Sequence, residues 1–132
     1  MVVLDTNIII EHLRQPKTKE STLIKLVRKK PKEVLAISII TIQELYEGKS
    51  TKNKAKEQAL LATISPLKIL PYTYEVAQLA GEIARDLTRP IELADAAIAA
   101  TAILNGAQLL TLNNKDFLGI KNLELLEEVL ED

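Results

Sequence analysis

The chain has 132 residues, 47% of them hydrophobic and 27% charged, and 17 basic against 18 acidic side chains leave a formal charge of −1. There is no cysteine and only one histidine, His12, which excludes disulfides, thiolate nucleophiles and zinc sites built from Cys or several His. The length suits one domain, residues 1–132, and neither an apolar run near the ~20 residues of a membrane span nor a charged leader is present, so a cytoplasmic protein without membrane contact is expected.

Val2-Val3-Leu4 is a short apolar run ending at Asp5-Thr6-Asn7, and it predicts a strand covered on both faces. Ile8–Leu13 predicts a short helix stopped near Gln15-Pro16, and Ser21–Lys30 an amphipathic helix with a basic outer face. Val34–Ile39 predicts a second strand, Thr41–Glu47 a helix stopped by Gly48, and Lys49–Lys56 a lysine-rich turn into a helix that reaches about Ile64. Leu67–Leu70, between two prolines, predicts a third strand. Thr73–Leu87 and Leu93–Leu104 predict two further helices, separated by Arg89-Pro90, the second closing at Asn105-Gly106. Gln108–Leu112 predicts a fourth strand, and the tail from Leu123 reads as an edge strand, a helix, or one and then the other. Strands alternating with helices and no hairpin signals predict an α/β/α sandwich around a mostly parallel sheet.

Ligands of an open parallel sheet bind beyond the carboxyl ends of its strands. Asp5 ends the first predicted strand, Glu44 follows the second, Asp95 opens the helix before the fourth, and Asn113 and Asp116 follow the fourth. No Lys or Arg adjoins Asp5, Glu44 or Asp95 in sequence. Carboxylates gathered in one pocket repel, so either some take up protons or a cation neutralises them. Oxygen donors suit Mg²⁺ or Mn²⁺ rather than zinc, and such ions support phosphodiester hydrolysis. Each residue also has a purely structural reading. Asp5-Thr6-Asn7 can cap the next helix, Thr41-Ile42-Gln43-Glu44 has the form of a capping box, Asp95 suits a first helical turn, and Asn113 with Asp116 can form an Asx turn. His12 reads as a surface or packing residue.

Four segments taken together go further: Val3-Leu4-Asp5-Thr6-Asn7, Ser38-Ile39-Ile40-Thr41-Ile42-Gln43-Glu44-Leu45, Ala94-Asp95-Ala96-Ala97-Ile98-Ala99-Ala100-Thr101-Ala102 and Thr111-Leu112-Asn113-Asn114-Lys115-Asp116-Phe117. In order, spacing and total length the sequence resembles the PIN-domain ribonucleases, in particular the VapC toxins of toxin–antitoxin pairs. The resemblance implies a PIN-like three-layer α/β/α sandwich and an Mg²⁺-dependent endoribonuclease, with Asp5, Glu44 and Asp95 in the family's acidic metal positions. The fourth position falls on Asn113, with Asp116 in the same motif as the alternative carboxylate. Thr6 and Thr111 are implied as hydroxyl neighbours that orient carboxylates or water. The resemblance also implies an RNA substrate, a cognate antitoxin laid along the surface, and a homodimer.

Aromatic residues are only 3%, which argues against a base-stacking platform. Substrate phosphates therefore need cations, and Arg85, Arg89 and Lys29 are the candidates. Dehalogenase-type phosphotransfer needs a second Asp where Asn7 stands, and a receiver-type domain needs an acidic pair near Asp5 that is absent. The remaining alternative is a catalytically idle PIN-like module that binds RNA or a protein partner.

Overall fold

The computed structural model describes residues 1–131. Five strands, β1 (Val2–Leu4), β2 (Leu35–Ser38), β3 (Lys68–Leu70), β4 (Gln108–Leu110) and β5 (Glu124–Leu125), form one sheet in the order β3-β2-β1-β4-β5. Every pairing is parallel, with Val3 opposite Ala36 on one side and Leu109 on the other. Six helices surround the sheet: α1 (Thr6–Arg14), α2 (Thr22–Lys29), α3 (Ile39–Glu47), α4 (Lys54–Ile64), α5 (Tyr74–Asp86) and α6 (Leu93–Leu104). The expected α/β sandwich is thus present, with a wholly parallel sheet among the described residues.

Both faces of the sheet are buried, which is why the strands read as unbroken apolar runs. Val2 and Leu4 point to a core shared with Ile8 and Ile9 of α1, Leu23 and Leu26 of α2, and Leu60 and Ile64 of α4. Val3 points the other way, onto Ile98, Ala99 and Ala102 of α6 and Phe117. The small alanine side chains let α6 lie close to the sheet, and α5 packs on its outer side through Val76 and Ala80. No helix among the described residues is long and apolar enough to cross a membrane.

Several element boundaries differ from the sequence expectation, each for a local reason. Helix α1 begins at Thr6, two residues early, because Asp5 caps it by accepting the Thr6 N–H at 2.8 Å. Ile39 and Ile40 open α3 instead of extending β2, since the Ser38 hydroxyl accepts the Ile40 N–H at 3.1 Å and ends the strand. β4 stops at Leu110, which frees Thr111 to turn its hydroxyl toward Asp5. The Lys49–Lys52 stretch forms a 3₁₀ turn. The tail is a strand followed by a 3₁₀ turn, Glu128–Glu131.

Candidate active site

The strand order reverses direction between β1 and β4: the chain leaves β1 toward β2 and β3, then returns to add β4 on the opposite side. Helices diverge at such a point and leave a crevice above the strand ends. Asp5 and Thr111, the first residues beyond β1 and β4, meet across it. Thr111 donates its hydroxyl to Asp5 Oδ2 at 2.7 Å, while the Thr6 N–H holds Oδ1. Asp5 is buried at 6% exposure, so both its oxygens are fixed in place. The capping and rim readings of this residue are therefore both satisfied.

Glu44 reaches the same rim from α3. Its Oε1 accepts the Thr6 hydroxyl at 2.6 Å, and Thr6 Oγ1 lies 3.0 Å from Thr41 Oγ1. The capping-box reading of Thr41 and Glu44 does not hold, because Ser38 is the α3 cap and Thr41 sits inside the helix. Thr6 consequently touches two acidic groups at once, Asp5 through its amide and Glu44 through its hydroxyl.

Asp95 arrives from the third direction. Helix α6 runs back against the strands, so its first turn lies at their carboxyl ends. Among the described residues no hydrogen bond or ion pair serves the Asp95 carboxylate. It lines a hollow of about 340 Å³ with Arg89, Pro90, Ile91, Glu92 and Asp116. Burial, then the charges of Asp5, Asp116, Glu92 and Glu44, push its pKa up to about 7. Asp5 is also raised, by burial and, more weakly, by Glu44 and Asp116 against the opposing pull of its hydrogen bonds. Asp95 thus lies in the field of Asp5, Asp116, Glu92 and Glu44, and Asp5 in that of Glu44 and Asp116.

Asn113 and Asp116 divide the work that the sequence leaves open between them. The Asn113 side-chain amide donates to Asp116 Oδ2 at 2.9 Å, while the Asn113 N–H donates to Thr111 Oγ1 at 3.1 Å. Asp116 lines the hollow with Asp95, and Asn113 hydrogen-bonds it from the side. Asn7 is a contact that sequence reasoning missed. It donates to Thr111 Oγ1 at 3.3 Å and accepts the Leu112 N–H at 3.2 Å, tying α1 to the strand-end loop. Its position two residues after a strand-end Asp was the available signal.

The three cationic candidates differ in placement: Arg89 lies in the hollow with Asp95 and Asp116, and Arg85 lines a separate one. Arg89 donates to the carbonyls of Asp116 at 3.1 Å and Leu118 at 2.7 Å, which makes it a clip on the turn that carries Asp116. Arg85 is exposed and paired with Asp86 at 2.7 Å, in a hollow lined by Glu82 and Lys121 rather than by Asp95. Lys29 ends α2 near the C-terminal turn, where Lys30 and, more weakly, Lys29 draw the Glu128 carboxyl down. The groove beside Glu44, about 450 Å³, carries other cations, Arg14 and Lys56, among Ile10, Leu13, Leu45 and Leu60. His12 hydrogen-bonds Ser21 at 2.7 Å, away from the acidic rim.

In kind, the donor set fits a hard divalent cation: it is all oxygen, Asp5 and Asp95 are both raised by burial and neighbouring carboxylates, and no described ion pair neutralises them. In position, no three acidic or imidazole side chains among the described residues close on one point.

Comparison with known proteins agrees with the architecture. Residues 2–123 match the family model described as "PIN domain". "Ribonuclease VapC10" of Mycobacterium tuberculosis is 34% identical over 116 residues, covering 86% of this chain and 83% of that one. "Ribonuclease VapC1" of Rickettsia felis is 41% identical over 98 residues, covering 68% and 73%. Among solved structures, VapBC2 from Rickettsia felis bound to a promoter DNA fragment superposes with a TM-score of 0.78 at 32% identity, covering 95% of this chain and 96% of that one. With nearly its whole length matched in sequence and in shape, the chain belongs to the PIN domain family.

Proposed function

We propose that this chain is a divalent-cation-dependent endoribonuclease, the toxic member of a VapBC-type pair. The observation that carries the reading is the gathering of Asp5, Glu44, Asp95 and Asp116 at one rim, where burial and neighbouring carboxylates raise both Asp5 and Asp95. The ribonuclease names of its relatives and the toxin–antitoxin complexes among its structural neighbours support the same conclusion. We take residues 1–132 as one domain acting in the cytoplasm, on RNA.

Asp5, Asp95 and Asp116 would hold Mg²⁺, or Mn²⁺ in its place, with Glu44 binding directly or through water. The chemistry such an ion supplies when bound is charge stabilisation on a phosphoryl oxygen and a lowered pKa for water. Thr6 and Thr111 keep Glu44 and Asp5 in fixed orientations, while Asp95 and Asp116 would have to draw in to close the set on one ion. Glu44 uses one oxygen on Thr6, which leaves Oε2 to orient the attacking water and accept its proton. Arg14 and Lys56, in the groove beside Glu44, are our candidates for the phosphates flanking the scissile bond. The same half-apolar groove is where an antitoxin segment would cover the rim, and a homodimer is the expected assembly.

The test is cleavage of RNA by the purified chain with and without Mg²⁺. Asp5→Asn and Asp95→Asn should each reduce cleavage beyond the ~10–100-fold that losing an outer-shell partner costs, with the fold retained by circular dichroism. Equal cleavage by wild type and Asp5→Asn would show an idle module or a contaminating nuclease.

A further inference from the structure

We infer that Thr41 is a positioning residue whose hydroxyl sets the direction of the hydrogen-bond chain holding Glu44. The proposal rests on the reading of Glu44 as part of the active site. Thr41 is fully buried on α3, one turn before Glu44, and it faces Thr6 of α1. A threonine hydroxyl has one proton to donate and two lone pairs to accept with. The Thr6 proton is committed to Glu44 Oε1, and the 2.6 Å separation falls in the range of a hydroxyl donating to a charged carboxylate. The 3.0 Å contact between Thr41 and Thr6 must then run the other way, with Thr41 donating.

The result is a chain, Thr41 to Thr6 to Glu44, in which each bond polarises the next. It also fixes the Thr6 rotor. Without the incoming proton from Thr41, the Thr6 oxygen keeps only its bond to Glu44, and the hydroxyl is freer to turn from it. A buried hydroxyl at a place where valine has almost the same shape is costly unless its hydrogen bond is used. Helix α3 does not use it as a cap, because Ser38 does that work. The use that remains is the chain to Glu44.

The experiment compares Thr41→Val, which keeps the shape and removes the hydroxyl, with Thr41→Ser, which restores it. Thr41→Val should lower kcat by about 10-fold with KM nearly unchanged, the scale of losing an outer-shell partner, and Thr41→Ser should recover most of that loss. In a crystal structure of Thr41→Val, Glu44 should leave its contact with Thr6 or spread over more than one rotamer. Thr41→Ala serves in the same two measurements if the valine variant does not fold.

Unchanged kcat in Thr41→Val, beside an inactive Asp5→Asn, overturns the role of Thr41 and leaves the nuclease reading intact. So do equal losses in the valine and serine variants. If wild-type cleavage proves independent of Asp5, the nuclease reading falls, and the crystal structure alone decides: an unmoved Glu44 overturns the positioning role, and a displaced one upholds it.

Discussion

At the scale of single residues, Asp95 is where chemistry and stability oppose each other. Folding moves its pKa from 3.8 to about 7, mainly by burial and then by the neighbouring carboxylates. The folded chain therefore holds this proton more tightly than the unfolded chain does. The stability linked to it is complete below about pH 4 and is lost as the pH rises through 7. Asp5, also raised, acts in the same sense. Thermal melting without divalent ions should give a lower Tm at pH 8 than at pH 5, and Asp95→Asn should narrow the difference by raising the value at pH 8. Added Mn²⁺ should raise the Tm of the wild type at pH 8 and have little effect on Asp5→Asn. Circular dichroism melts check both outcomes, and a wild-type Tm that rises from pH 5 to pH 8 by more than that of Asp95→Asn would contradict them.

At the scale of elements, the helix starts and strand ends carry the site, and they mark how much of it the sequence revealed. Asp5, Glu44 and Asp95 could be named because a carboxylate at a strand end or first helical turn is local information. The difference between Glu44 as a cap and Glu44 as a rim residue was not local. It depends on Thr6, 38 positions away, and on Ser38 taking over the α3 cap. Glu44→Gln should therefore leave Tm nearly unchanged while cleavage falls, whereas Ser38→Ala should cost about 1 kcal/mol of stability, measured by urea unfolding. Arg89, in the hollow with Asp95 and Asp116, shows a further contact that local sequence does not announce. A cation beside an acidic motif suggests phosphate binding, yet here the guanidinium binds two carbonyls, which only tertiary structure can reveal. Arg89→Ala should lower stability by about 1–2 kcal/mol, as lost charged hydrogen bonds do, with the salt dependence of KM unchanged. A shallower salt dependence would restore Arg89 to the substrate.

At the scale of the whole molecule, the class and the central strands were legible because strands buried on both faces lose their alternation, and that pattern survives without tertiary knowledge. The sheet order was not, since nothing in β1 or β4 alone announces that they are neighbours. The apolar positions of the early helices exceeded what one copy buries, and Leu13, Ile24 and Val27 remain exposed at 38–46%. Together with Leu93 at 73% and Tyr74 at 79%, they leave surface for protein partners. Sedimentation equilibrium should return twice the 14.6 kDa chain mass at micromolar concentration, and a monomer at every concentration would remove the homodimer.

The bond between Thr111 and Asp5 joins residues separated by almost the entire polypeptide. β1 and β4 are neighbours in the sheet but far apart along the chain, so the sheet's middle cannot close until both have been made. Pairings so distant in sequence also form slowly. On the reading proposed above, a half-made chain is harmless to the messenger that encodes it and to the ribosome reading it. Cutting power arises only once both strands have paired, which leaves an inhibitor time to bind.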